Sequence, residues 1–346
     1  MSVVRSMDAF IADLDDLGKL IEIGRCKYNV YAPIRKGGSY VFSKVEDIHN
    51  IDLRYNRTIL PPTKLFHRPR ETLLRFKLND GFEFDEVLEV ESMMIFGVHA
   101  CDLNAILRLD RFFTRRFEDP YYLARRRNSV VVALNCNGPR DEYCFCASLG
   151  TGPTIDEGYD ILLTEVEGGR FLVEVGSKIG FDLISEAGFM RASSNYIEAK
   201  RTMASTARRG FRRYADFRGL SYPVIEVLAH SVWDEEAGRC LSCGNCSLVC
   251  PTCYCYEISD VVDMDLKNGF RVRRLDSCQL YGYAEVALGG NFRRSRKARL
   301  RHWMVCKFGG AAGGELSSCV GCGRCIFYCP AKIDITSISS RLREAV

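Results

Sequence analysis

The 346 residues contain no apolar run that approaches the roughly 20 residues needed to cross a bilayer. The longest are short pieces such as Met93 to Val98 and Val130 to Leu134. The stretch from Met1 to Asp16 carries acidic residues where a secretory signal has its apolar centre, so export is not expected. No G-x-G-x-x-G follows a predicted strand, which removes the usual glycine-rich phosphate cradle and weakens a flavin- or nucleotide-binding reading. Histidine is scarce and scattered: of His49, His67, His99, His230 and His302, only His99 lies near suspected chemistry, two residues before Cys101. Each such residue is more often at the surface or satisfied in a core than a ligand. An excess of one charge is also missing, and a net charge of +4 selects no class of partner.

What remains is ordinary for a soluble protein, with 47% hydrophobic and 27% charged residues and a length that suits two or three domains. Cysteine is the exception. There are 17, and 12 of them fall between Cys240 and Cys329. Two runs stand out: Cys240-Leu-Ser-Cys243-Gly-Asn-Cys246-Ser-Leu-Val-Cys250-Pro251 and Cys319-Val-Gly-Cys322-Gly-Arg-Cys325-Ile-Phe-Tyr-Cys329-Pro330. Each is C-x2-C-x2-C-x3-C-P, the spacing that holds iron-sulfur cubanes, and two copies imply two 4Fe-4S clusters. Three thiolates two residues apart can wrap one cluster from a tight turn, eased by Gly244 and Gly323. The fourth, followed by proline, points to the other cluster. The expected ligand sets are therefore Cys240, Cys243, Cys246 and Cys329 for the first cluster, and Cys250, Cys319, Cys322 and Cys325 for the second. A tetrahedral zinc site needs fewer thiolates than either run offers in concert with its twin. A disulfide framework does not suit a long chain with no secretory signal, and thiolate ligands require a reducing compartment, so a cytoplasmic location is expected.

The rest of the chain reads as α/β. Ser6 is a candidate cap for a helix with Phe10, Leu14, Leu17 and Ile21 on one face. Tyr28 to Ile34 and Tyr40 to Phe42 flank Lys36-Gly-Gly-Ser39 as a hairpin, and Ile161 to Val166 and Arg170 to Val175 form another around Gly168-Gly169. Met93 to Val98 reads as a strand, followed by a turn and a helix capped by Asp102. A second strand, Ser129 to Cys136, also ends in cysteine. If the two are parallel neighbours, Cys101 and Cys136 sit together at the sheet edge where α/β folds bind ligands. Cys144 and Cys146 follow closely, so these four either hold a third cluster or are small buried hydrophobes.

Cys26 has no companions and reads as core. The paired prolines in Tyr55 to Pro62 exclude a continuous helix there. Asn195 to Arg218 turns helical and basic, with Arg208, Arg209, Arg212 and Arg213 bunched, and a domain boundary follows near Pro223. The expected division is residues 1–225, an α/β domain with an additional iron-sulfur site, and 226–346, a helical dicluster domain. The 68 residues between Cys250 and Cys319 are too many for a compact two-cluster ferredoxin, and include Cys253, Cys255, Cys278 and Cys306, read as core residues or neighbours that tune the clusters in preference to ligands of a further cluster. The basic run Arg293, Arg294, Arg296, Lys297, Arg299 and Arg301 lacks the aromatic interleaving of a nucleic-acid surface; an acidic partner or a negative cluster accounts for it as well.

The chain resembles the β subunits of cytoplasmic NiFe sulfhydrogenases, the NAD(P)-linked hydrogenases, and more distantly the electron-relay subunit of anaerobic sulfite reductase. The resemblance rests on Tyr55-Asn-Arg-Thr-Ile-Leu-Pro-Pro62, Phe96-Gly-Val-His-Ala-Cys-Asp102, Asp141-Glu-Tyr-Cys-Phe-Cys146, Trp233-Asp-Glu-Glu236, Cys250-Pro-Thr-Cys253, Asp276-Ser-Cys-Gln279 and Gly289-Gly-Asn-Phe-Arg293. It implies an α+β protein whose C-terminal part is an α-helical ferredoxin-like dicluster domain. It also implies an electron relay between two sides, a flavin- and NAD(P)-binding reductase subunit on one and the small and large NiFe hydrogenase subunits on the other. The pair Cys253 and Cys255, and likewise Cys101, Cys136, Cys144 and Cys146, resemble family positions, which strengthens the third-cluster reading. No nickel site is recognised, so hydrogen chemistry itself is not expected in this chain. Two rivals remain: the sulfite reductase relay, which differs in its terminal acceptor, and a stand-alone flavin-dependent iron-sulfur oxidoreductase.

Overall fold

The computed structural model describes residues 9–78, 81–220, 225–309 and 317–344. The strands are β1 (Ala9–Ala12), β2 (Asn29–Lys36), β3 (Ser39–Lys44), β4 (Arg70–Leu78), β5 (Phe82–Glu86), β6 (Met93–His99), β7 (Ser129–Leu134), β8 (Ile161–Glu165), β9 (Phe171–Val175), β10 (Met190–Arg191), β11 (Tyr256–Val262) and β12 (Asn268–Leu275). The main sheet has the order β10-β1-β9-β8-β7-β6-β2-β3, with β2, β6, β7 and β8 parallel and the outer strands antiparallel.

The parallel centre is apolar on both faces because helices cover both. Met94, Phe96, Val130, Val132, Ile161 and Leu163 face the helices Leu14–Arg25 and Lys178–Ala187. The alternating residues Met93, Ile95, Val98, Val131, Ala133 and Leu162 face Ala100–Thr114 and Pro120–Arg127. This period of two is what the pleat dictates. The two expected hairpins are present, β2 with β3 and β8 with β9. The first helix begins at Leu14 under an Asp13 capping box, and Phe10 belongs to β1 instead. Ser6, the expected cap, and the boundary placed near Pro223 lie outside the described residues.

The second half packs the helices Val232–Arg239, Arg296–Phe308 and Ile335–Arg343 around Trp233, Trp303 and Phe308, with the two cysteine loops against them. The long insert does something the sequence did not suggest. Its strands β11 and β12 continue a second sheet, β11-β12-β4-β5, in which β12 pairs antiparallel with β4 from the first half. Buried charge fixes that seam: Arg273 on β12 grips Glu71 on β4 at 2.7 Å and also pairs with Asp119, while Arg125 reaches Glu71 at 2.9 Å.

Two further contacts bind the halves. His67 lies between Phe113 and Tyr256, fully buried, with neither ring nitrogen partnered. Burial, aided by the nearby Lys64 and Arg273 charges, pushes its pKa down to about 3. Unfolded His67 takes up a proton near pH 6.5 and the folded residue does not, so its contribution is complete above that pH and drains away as pH falls toward 3. At pH 5 the loss is about 2 kcal/mol. Denaturant unfolding near pH 7 and near pH 5 should therefore show a drop for the wild type that is smaller by about this amount in His67→Leu. The second contact is Arg324, whose guanidinium meets Asp102 at 2.6 and 2.8 Å with both side chains fully buried. Asp102→Ala strands the Arg324 charge and should cost about 3–5 kcal/mol in the same assay, whereas the double change Asp102→Ala with Arg324→Leu should cost less.

Candidate metal centres

Each cysteine run folds as the spacing demands. In the first, Gly244 adopts φ 83° and opens the short helix Asn245–Leu248; in the second, Gly323 adopts φ 71° and opens Arg324–Phe327. Left-handed backbone at these points turns the chain within the C-x2-C-x2-C segment so that its three thiols face one side. Backbone N–H groups already point at sulfur in both loops: Ser242 N to Cys240 Sγ at 3.4 Å, Gly321 N to Cys319 Sγ at 3.4 Å and Ile333 N to Cys329 Sγ at 3.3 Å.

The thiols border three voids. The first is lined by Cys240, Cys243, Cys246, Cys325 and Cys329. The second is lined by Cys250, Cys319, Cys322 and Cys325. The third is lined by Cys101, Cys136, Cys144, Cys146 and Cys322. The fourth cysteine of each run thus stands with the first three of the other. Among the described residues no three His, Cys, Asp or Glu side chains converge closely enough for a single metal ion, because the cysteines surround spaces instead of meeting at a point.

Neighbouring voids share walls. Cys325 and Trp303 border the first and second. Cys322 borders the second and third, and beside it the two halves approach very closely: a Cβ on Gly321 would lie 2.6 Å from Cys146 Cα. Only glycine permits that approach, and Phe145 N donates to Gly321 O at 2.9 Å across it.

The donors around the voids fit an anionic, sulfide-rich group. Buried Trp303 Nε1 has no partner and belongs to the wall shared by the first two cavities. Around the third, His99 Nε2, Arg57 Nε and Arg140 Nε are buried without partners. Orphaned donors of this kind carry a desolvation cost unless an acceptor occupies the space they line. Burial pushes the Cys101, Cys146, Cys246 and Cys325 thiols far above their ordinary range, and Cys319 up to about 12, opposed there by the Gly321 N–H. Such groups become thiolates when a metal compensates the charge.

The segments that carried no readable job in the sequence turn out to frame the third cavity. Tyr55 stacks on His99 at 3.9 Å and bonds Gly97 O, Arg57 pairs with Asp141, and Thr58 accepts from Arg324 through both its carbonyl and its hydroxyl. Asp102 is not the helix cap expected of it, a position taken by His99; it sits inside the first turn and holds Arg324. Arg140 and Trp303 lie in no motif of the sequence, and Arg57 and Arg324 lie inside motifs that give them no role, since single charged or aromatic residues carry no spacing signal.

The remaining cysteines form an outer ring. The Cys253 thiol donates to Cys250 and thereby lowers the Cys250 pKa. Lys307, fully buried, donates to Thr252 Oγ1 at 3.1 Å, which in turn lies 3.3 Å from Cys250 Sγ. Burial disfavours its charge, but Cys250, Cys253 and Cys306 outweigh that and hold the ammonium. Cys278 and Tyr283 hydrogen-bond Cys255 and bring it down to about 6. Cys26, expected in the core, is exposed at the end of the first helix. The basic run from Arg293 is partly turned inward: Arg299 bonds the Arg293 and Arg294 carbonyls and Ser242 Oγ, and Arg301 bonds Leu228 O. Arg213, from the other basic cluster, joins Asp334 to Glu142 O.

No helix among the described residues is long and apolar enough to cross a membrane. Residues 239–333 match the family model of the 4Fe-4S dicluster domain, a range that takes in every cysteine of the first two cavities. Over 335 residues the chain is 38% identical to the sulfhydrogenase 2 subunit beta of Pyrococcus furiosus, with 95% of each chain covered. With this likeness running through both halves, and with cysteine-walled voids where the dicluster match lies, the chain belongs to the family of sulfhydrogenase β subunits, iron-sulfur proteins of electron transfer.

Proposed function

We propose that the chain is an electron-relay subunit holding three 4Fe-4S clusters in series. Cys240, Cys243, Cys246 and Cys329 would hold the first, Cys250, Cys319, Cys322 and Cys325 the second, and Cys101, Cys136, Cys144 and Cys146 the third. The observation that carries this reading is the chain of three cysteine-lined voids, the first and second sharing Cys325 and the second and third sharing Cys322. A cubane bound there supplies reversible one-electron storage at low potential. The protein supplies the rest. Trp303 Nε1, His99 Nε2 and the arginine Nε groups offer N–H donors to sulfur, and Lys307 and Arg324 place buried positive charge beside the second and third sites, which favours the reduced form. No general acid or base is required by one-electron transfer.

The relative's name assigns it to a sulfhydrogenase, a hydrogenase assembly. By extension we place this chain in a cytoplasmic complex, with a reductase subunit that binds flavin and NAD(P) on one side and the small and large NiFe hydrogenase subunits on the other. Anaerobic co-purification with identification of the companions tests that: a flavoprotein and a NiFe large subunit are expected, and a sirohaem protein instead would reassign the terminal acceptor. The crossed ligation has its own test. In Cys329→Ser, paramagnetic resonance of the reduced protein should show damage to the cluster held by Cys240, Cys243 and Cys246 with the others preserved. Damage confined to the cluster of Cys319, Cys322 and Cys325 contradicts the assignment.

A further inference from the structure

The first cavity reaches the surface. Cys243 is exposed, and so is Leu241 beside it, at 62%. The segment Leu280 to Phe292 starts beside this loop. Leu280 approaches within 3.5 Å of the position a Cβ on Gly244 would take, Arg299 reaches Ser242 Oγ at 3.3 Å with its guanidinium over the Tyr281 ring, and Phe292 N closes the segment on Ala284 O at 3.3 Å. A small hairpin, Glu285–Val286 with Gly290–Asn291, projects from it. Its tip is apolar where solvent is: Leu288 is 106% exposed, Phe292 80% and Val286 46%. Leu288 also holds φ 65°, an unfavourable conformation for a residue with a branched side chain that gains nothing in water.

Arg294 and Arg296 follow the hairpin directly in the chain, and Lys332 stands between two residues of the cavity wall. Arg294, Arg296 and Lys332 are exposed, and none is in an ion pair among the described residues. Arg296 donates to Cys240 O at 3.0 Å, and Lys332 lies between Ala331 and Ile333, which line the cavity, so both charges belong to the rim of the first site. The hairpin contributes one carboxylate, Glu285, and Lys297 is already neutralised by Asp234. An exposed apolar centre with a mainly cationic rim is the anatomy of a protein docking surface, and the rim selects the partner by charge.

We propose that this face, Leu241, Val286, Leu288 and Phe292 with Arg294 and Arg296, is where an acidic redox protein carrying its own one-electron centre docks and exchanges electrons with the first cluster. The inference rests on the relay reading above. An acidic partner complements Arg294 and Arg296, and seating on Leu241 brings it within two residues of the exposed Cys243, which shortens the electron's path. A nucleic acid would match the charge but leaves Leu288 and Val286 without contacts.

A plant-type 2Fe-2S ferredoxin, acidic with a cluster near its surface, serves as the probe. Binding to the full anaerobic chain is measured by surface plasmon resonance at low and high salt. The wild type should bind, more weakly as salt rises. Arg294→Glu with Arg296→Glu should lose about tenfold or more in affinity at low salt, mainly through a slower on-rate. Leu288→Glu should lose affinity at both salts, and Lys36→Glu, on the distant hairpin of β2 and β3, should change nothing. Iron content and the resonance spectrum of every variant must match the wild type, so that a loss of clusters, which would count against the relay reading, is separated from a loss of docking. No binding by the wild type, equal loss in Lys36→Glu, binding of a single-stranded oligonucleotide at the same site, or a dimer of the chain that Leu288→Glu dissolves would each overturn the proposal.

Discussion

Arg324 grows from a cysteine loop of the second half, between Cys322 and Cys325, yet its hydrogen bonds go to the first half: Asp102 through both carboxylate oxygens and Thr58 through its carbonyl and hydroxyl. A guanidinium this deeply buried persists only when fully paired. The constraint it imposes is positional. Asp102 stands one residue beyond Cys101 in the helix that leaves β6, so satisfying Arg324 fixes the second loop against the end of the sheet and sets the second and third cavities wall to wall.

The other links between the halves serve the same placement. The sheet β11-β12-β4-β5, with Arg273 and Glu71 across its seam, anchors the insert that separates the two cysteine runs. Gly321 lets backbone meet backbone beside Cys146, and Arg213 clasps Asp334 to the segment that carries Cys144. For the proposed relay this matters because transfer falls steeply with separation, and shared walls would keep successive centres near one another. The surroundings are graded as well as close. Trp303 offers a neutral donor at the first two sites, Lys307 a buried cation at the second, and His99 with three arginines a cluster of donors at the third.

Legibility in the sequence followed the chemistry. The two runs at Cys240 and Cys319 could be read outright, since one ligand geometry demands one spacing. The parallel strands ending near Cys101 and Cys136 were readable from their continuous apolar runs, and the edge they form is where those cysteines meet. The pairing of β4 with β12 was not, because the partners are some 200 residues apart in sequence, alternate in polarity and carry no turn between them. Phe10 fitted a helical period by coincidence and belongs to a strand. Asp102 looked like a cap because capping is the common local use of such a residue before a helix, and a distant arginine claims it instead. Arg57, Arg140 and Lys307 act through burial and proximity, which a sequence does not display.

The central claim is that three sets of four thiolates hold three cubanes in one chain. Iron and acid-labile sulfide determined on anaerobically purified protein, together with its Mössbauer spectrum, test it most directly. The account predicts about twelve irons per chain, all in 4Fe-4S environments. About eight irons would contradict the third centre, and fewer than that would contradict the relay itself.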